Sequence, residues 1–306
     1  MVGRRLRSFV AATAAVAVVL LVSGCGVRWE TEPSPAPSPD ATTVLRDSLA
    51  DSENVVAGAA AGSALPIAGR ASKSAEAHLT ALGGVYVAYP GTTPTPSPSP
   101  EPLRSVADAI ADARAHAEEV AAQAADPDLA FLAASIELEW ALVEWASGPA
   151  PATPLGPPNA TEVPDPALTE LVLAHDEARF AYETLAAQES GADRDAALAR
   201  ARFHGDRADA LVTLVAVDPR TPLYQLRDAD LTDPDARDAL ARSLELDLGW
   251  RYASLMDGVT AADRAWLFDG AFDAYTTAGR LEGFTFGDIP TLPGVDATSA
   301  VAPAPQ

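Results

Sequence analysis

Residues 166–188 read PALTELVLAHDEARFAYETLAAQ, and this stretch decides the fold. Leu168, Leu171, His175, Ala178, Tyr182 and Leu185 recur every third or fourth position, which lines them along one stripe of an α-helix. The same period continues downstream. A second helix over about 193–217 carries Ala197, Ala201, His204, Ala208, Leu211 and Val215, and a third, opened by Thr232-Asp233-Pro234, carries Ala241, Leu244, Glu245, Leu248, Tyr252 and Leu255. Asp233 as a cap and Pro234 in the first turn suit a helix start. A fourth spans about 260–283, with Thr260 as its cap and Asp263 in the reciprocal capping position. Four such rods joined by mostly short loops predict an antiparallel four-helix bundle.

Upstream the period is again helical. Helices are expected over about 42–62 and 68–84, then a third in which Val106, Ile110, Ala113, Ala117 and Val120 share a face. A fourth follows Asp126-Pro127 with Leu129, Leu132, Ile136, Trp140 and Val143 on one stripe and Phe131, Leu138, Leu142 and Trp145 on another. Being apolar on most sides, it is expected at the centre of its surroundings. No run of alternating β-branched residues argues for a sheet, so the expected class is all-α. Pro-rich stretches divide the chain into a stalk at 25–40, a helical region at 41–147 with an insert at 90–102, a linker at 148–165, the bundle at 166–295 and a disordered tail at 296–306. The first region is either a second bundle arisen by duplication or a layer packed onto the first.

Ahead of the stalk, Arg4, Arg5 and Arg7 precede an apolar run from Phe9 to Val22, the pattern of a secretory signal too short to span a bilayer comfortably. It ends in Leu21-Val22-Ser23-Gly24-Cys25, which resembles the lipobox of bacterial lipoproteins. That resemblance implies cleavage after Gly24, acylation (palmitate among the chains) of Cys25, and a lipid anchor on the extracytoplasmic face of the cell membrane. Cys25 is the only cysteine, so no disulfide can stabilise the fold. Two acyl chains hold a protein stably, since each buried methylene contributes about 0.8 kcal/mol.

The formal net charge is −22, and loss of the signal removes three arginines and no acid. Nucleic acid and anionic headgroups are poor partners for such a surface. Lys73 is the only lysine and alanine is abundant, a bias suggesting a GC-rich, actinobacterial genome. Glycine-rich phosphate loops, Gly-x-Ser-x-Gly and His-Glu-x-x-His are absent, and without strands the two-lobed solute-binding architecture is excluded.

His175, His204 and Glu245 each interrupt an apolar stripe on a different helix, so closure of the bundle brings all three inward. A buried charge must be paired or bound. Three readings stay open: a structural network in which a histidine or Tyr182 bonds to Glu245, a single iron or zinc ion held by one carboxylate and two imidazoles, or one or more of the three lying at a solvated edge. His78, on a stripe with Ala71, Ala75 and Leu82, is expected in a core or groove, and His116, beside its stripe, in solvent.

Residues 166–295 resemble the ferritin-like domain of actinobacterial lipoproteins, a family without an assigned function. The matching pieces run from His175 to Tyr182, His204 to Leu211, Ala241 to Glu245 and Leu292 to Val295. A di-iron ferritin needs four carboxylates and two histidines in fixed positions. Here His175 stands where the first glutamate belongs, Ala201 replaces the glutamate three before His204, and the fourth helix has no histidine. Its Asp269 and Asp273 fall opposite the apolar stripe, so at most one metal is expected. The leading expectation is a non-catalytic, membrane-anchored module that binds another envelope protein or a ligand, with no cofactor; the competing one is a metal protein with redox or storage activity.

Overall fold

The computed structural model describes residues 39–84, 104–148, 155–156, 158, 162–226 and 230–295; Cys25, the stalk, the insert at 90–102 and the tail lie outside them. The fold is all-α. Among the described residues are eight helices and no strand: α1 Ala41–Ala61, α2 Ile67–Leu82, α3 Val106–Gln123, α4 Pro127–Ser147, α5 Asp165–Gln188, α6 Gly191–Val212, α7 Pro234–Ser254 and α8 Ala261–Ala278, followed by a 3-10 turn at Phe286–Asp288. None is long and apolar enough to cross a membrane.

Local chemistry starts the helices where the sequence expects. Asp40, Ser105, Asp126, Asp233 and Thr260 each accept a hydrogen bond from a main-chain N–H of the first turn, and Pro127 and Pro234 occupy first-turn positions. α6 and α8 stop short of the predicted ends at 217 and 283. Gly279 caps the C-terminus of α8, where a Cβ would fall 2.5 Å from the Trp145 ring of α4.

Consecutive helices pair as hairpins: α1 with α2, α3 with α4, α5 with α6 and α7 with α8. α1 also packs on α3, α2 on α4, and α5 on α7. α4 then packs on α8, so the helix that is apolar on most sides is indeed central, with α1, α2, α3 and α8 around it. The apolar core runs without a break from Leu49 in α1, through Ile136 and Trp140 in α4, to Leu171 in α5, Leu267 in α8 and Ile289 beyond it. Each large side chain so buried contributes about 1.5–3 kcal/mol. The two helical regions therefore share one core.

Within the second half, α7 and α8 interlock. The ring of Tyr275 lies where a Cβ at Gly249 would be, 2.6 Å away, and Tyr252 stands in the same relation to Gly270. Each helix thus receives the other's tyrosine into a gap that only glycine leaves open.

The chain after α8 joins the halves. Arg70 donates to the carbonyls of Phe286, Ile289 and Pro290, His78 Nε2 lies 2.8 Å from the Thr291 carbonyl, and Ser135 donates to Pro293 O at 2.9 Å. Residues 284–295 are a strap, clasped by α2 and α4 and seated against the end of α7.

Candidate functional site

α5, α6 and α7 bring the three predicted residues together. His175, His204 and Glu245 are all buried, and they form a chain instead of a triangle. His175 Nδ1 and His204 Nδ1 are 3.0 Å apart, and His204 Nε2 lies 3.1 Å from Glu245 Oε1. The other nitrogen of His175 meets Tyr252 OH at 2.8 Å, and Arg207 Nε donates to that hydroxyl at 3.0 Å. One proton arrangement satisfies every member: Arg207 donates to Tyr252, Tyr252 to His175, His175 to His204, and His204 to Glu245, with each imidazole carrying one hydrogen.

The electrostatics agree with neutral rings. Burial, then the neighbouring His204 and the arginines, push His175 well below the usual histidine range. Burial lowers His204 too, although Glu245 pulls the other way. For Glu245, burial raises the carboxyl, but Arg200 and then His204 outweigh it and hold the group at about 2.

The carboxylate is saturated. Arg200 grips both oxygens, at 2.7 and 2.6 Å, and Tyr182 donates to Oε1 at 2.8 Å, as the network reading of Tyr182 anticipates. Arg200 also reaches Asp273 at 2.8 Å. Asp269 and Asp273 lie on the polar side of α8, opposite its apolar stripe. That side faces α3, α4 and Arg200, because the first helical region packs there, and both aspartates are partly buried.

The residues present do not fit a metal ion. Both nitrogens of each histidine are engaged, and the guanidinium of Arg200 occupies the approach to both carboxylate oxygens of Glu245, placing a fixed cation where a metal would sit. Among the described residues no group of three or more His, Cys, Asp or Glu side chains is arranged to hold one.

A second polar centre lies in the first half, only partly anticipated. His78 is buried, as expected, and its Nδ1 is 2.7 Å from Glu53 Oε2, while Trp140 Nε1 donates to Glu53 Oε1 at 2.9 Å. The other His78 nitrogen faces the Thr291 carbonyl, so the ring lies between two acceptor groups, one on α1 and one beyond α8. Alongside, Glu139 receives two bonds from Arg70, at 2.6 and 2.7 Å, and one from Ser74 at 2.6 Å. His116, expected in solvent, is instead partly buried and bridges α3 to α1 through Ser48 at 3.0 Å.

Between α3, α4 and α8 opens a cleft of about 720 Å³, within the usual size range of small-molecule sites. Its walls carry both signs of charge and the rings of Phe268, Phe272 and Trp145. No protein-family model, curated protein or solved structure matches the chain.

Proposed function

We propose that the chain is a lipid-anchored extracytoplasmic protein of the cell envelope, whose helical body is a non-catalytic binding module and whose α5–α8 half is a degenerate ferritin-like four-helix bundle. One observation carries the non-catalytic part. The inward trio is consumed by its own protein: four donors converge on Glu245 from Tyr182, Arg200 and His204, and His175 is closed by Tyr252. A general base or ligand needs a free lone pair facing a substrate, and these side chains direct theirs at each other. The hairpins α5–α6 and α7–α8, with α5 against α7 and polar groups at mid-height, support the bundle reading.

The anchor rests on the basic residues, apolar run and Leu-Val-Ser-Gly-Cys ending at Cys25. Expressed in an actinobacterial host, the full chain is expected in the membrane fraction, released by detergent but not by salt, and labelled by palmitate. The C25A variant is expected unlabelled and outside that fraction. A C25A protein still recovered with the membranes would overturn the anchor.

The convergence of two imidazoles and a carboxylate gives the single-ion reading its one support. Elemental analysis of the natively expressed protein separates the two. Iron, zinc and manganese at trace level are expected; roughly one equivalent of iron or zinc, lost in H204A, would replace the non-catalytic reading with a metal protein.

A further inference from the structure

The cleft between the halves has an unbalanced set of charges. Of its carboxylates, Glu144 is paired with Arg114 at 2.6 Å and Asp273 with Arg200 at 2.8 Å. Glu118 on α3, Glu137 on α4 and Asp269 on α8 make no hydrogen bond or ion pair among the described residues. The cations do not answer them. Arg264, almost buried, turns its nitrogens to the carbonyls of Ala121, Met256 and Val259, and Arg280 lies over the Trp145 ring at 5.8 Å, at the rim. Glu137 and Asp269 thus face one cleft from opposite halves of the molecule, with no cation placed between them.

The remaining surface is apolar. Phe268 and Phe272 stack in parallel, with centroids 6.4 Å apart and planes within 5°, and present rings to the cleft over a lining of alanines from α3, α4 and α8. Aromatic faces and unpaired carboxylates together select a positive charge carried on an apolar body.

We propose that this cleft binds a small organic ammonium compound, its charge between Glu137 and Asp269 and its apolar part against Phe268 and Phe272. Metal cations are less suited, since no three ligating side chains converge here among the described residues. The titration of the site agrees. Burial, then the charge of Glu118, raises Glu137 to about 7 against the opposing pull of Arg114 and Arg264, and burial raises Asp269. Neither carboxyl has a cation in direct contact, since Arg114, Arg264 and Arg207 act on them only from a distance, so a bound ammonium supplies the close counter-charge and its binding at neutral pH expels a proton from Glu137.

This deepens the binding-module reading by naming a ligand class, but its test is separate from the anchor. The full chain in nonionic detergent is titrated by calorimetry with phenethylammonium, with 2-phenylethanol as the same body without charge and phenylacetate as the opposite charge. Saturable binding is expected for the ammonium alone, with proton release seen in buffers of different ionisation heat and affinity rising with pH through 7. Affinity should fall at least tenfold in E137Q and in D269N. E137Q replaces a poorly solvated carboxyl by a neutral amide, so its thermal unfolding serves as the check that the fold is intact. Absence of saturable binding, equal binding of 2-phenylethanol, displacement by equimolar calcium, or unchanged affinity in the folded E137Q/D269N double variant would each overturn the assignment. None of those results touches the partitioning of C25A.

Discussion

Glu245→Ala is expected to cost about 3–5 kcal/mol of folding stability, the range for removing one partner of a buried ion pair. The variant leaves the Tyr182 hydroxyl without its acceptor and the Arg200 guanidinium with Asp273 as its remaining partner, both having reached a carboxylate with no solvent exposure. It also removes the acceptor that orients His204, so the preference for donating through Nε2 disappears and the histidine chain loses its direction. Urea unfolding followed by circular dichroism measures the loss as a lower midpoint at unchanged slope. A loss below about 1 kcal/mol, the range of exposed pairs, would mean that Arg200 swings out to water and that the centre is not a closed network. Replacing Glu245 and Arg200 together by leucine and methionine should recover much of the loss, since a well-packed apolar pair often equals or exceeds a buried ion pair.

The same centre sets an acid limb in the stability profile. Glu245 has a folded-state value of about 2 against 4.5 for the free group. Its folded value is depressed, so its contribution is present above 4.5 and is lost as pH falls towards 2. At 1.36 kcal/mol for each unit, the shift corresponds to roughly 3 kcal/mol. His175 and His204 act in the same direction from a higher pH: both are lowered from 6.5, so below that value the unfolded chain takes protons that the folded rings refuse. Glu137 opposes them. Its folded value is raised from 4.5 to about 7, so its contribution is present below 4.5 and is lost as pH rises through 7. In E137Q the Glu137 share of the opposing slope between 4.5 and 7 is removed, and the histidine limb steepens.

How much of this was legible in the sequence follows from what each residue interrupts. Glu245 is conspicuous because Ala241, Leu248 and Tyr252 frame it at helical spacing, and all four are buried. Glu53 carries the same signature, four after Leu49 and three before Val56, and was readable in principle. Glu139 was not. In α4 almost every side is apolar, so no stripe exists for a charge to violate, and only its position between Leu138 and Trp140 hints at burial. Arg200 and Arg207 hid for the opposite reason. They flank a stripe of small residues, Ala197, Ala201 and Ala208, and small residues leave room for guanidiniums to reach inward from its edge. On α8 the spacing shows a polar side but not what covers it: helices of the first region lie over it, so Asp269 lines a cleft and Asp273 pairs with Arg200. The strap was invisible because its ties run through main-chain carbonyls, which every sequence supplies alike.

Gly294→Ala is the substitution that should expose the strap. Gly294 has φ +84°, a region that disfavours side chains, and a Cβ there would fall 2.4 Å from the carbonyl carbon of Ala253 and 2.8 Å from the nitrogen of Ser254. These are main-chain atoms of α7, which cannot swing aside as a side chain would. Backbone strain of about 1–2 kcal/mol adds to overpacking of about 1–3 kcal/mol, giving an expected loss of about 2–5 kcal/mol. The strap can instead lift away from α7, and the cost then appears elsewhere. Lifting removes the Thr291 carbonyl from His78 and the Pro293 carbonyl from Ser135, leaving buried polar groups of α2 and α4 unsatisfied. Hydrogen exchange distinguishes these outcomes by location. Faster exchange confined to 284–295 and to the His78–Glu53 region marks a lifted strap, whereas faster exchange through α7 and α8 marks a wedge driven between the helices. Exchange and stability equal to the wild type in both regions would show that residues 284–295 do not fasten the halves. A Ser135→Ala variant, which removes only the tie to Pro293 without crowding α7, should reproduce the lifted pattern in milder form and keep the α7–α8 interlock protected.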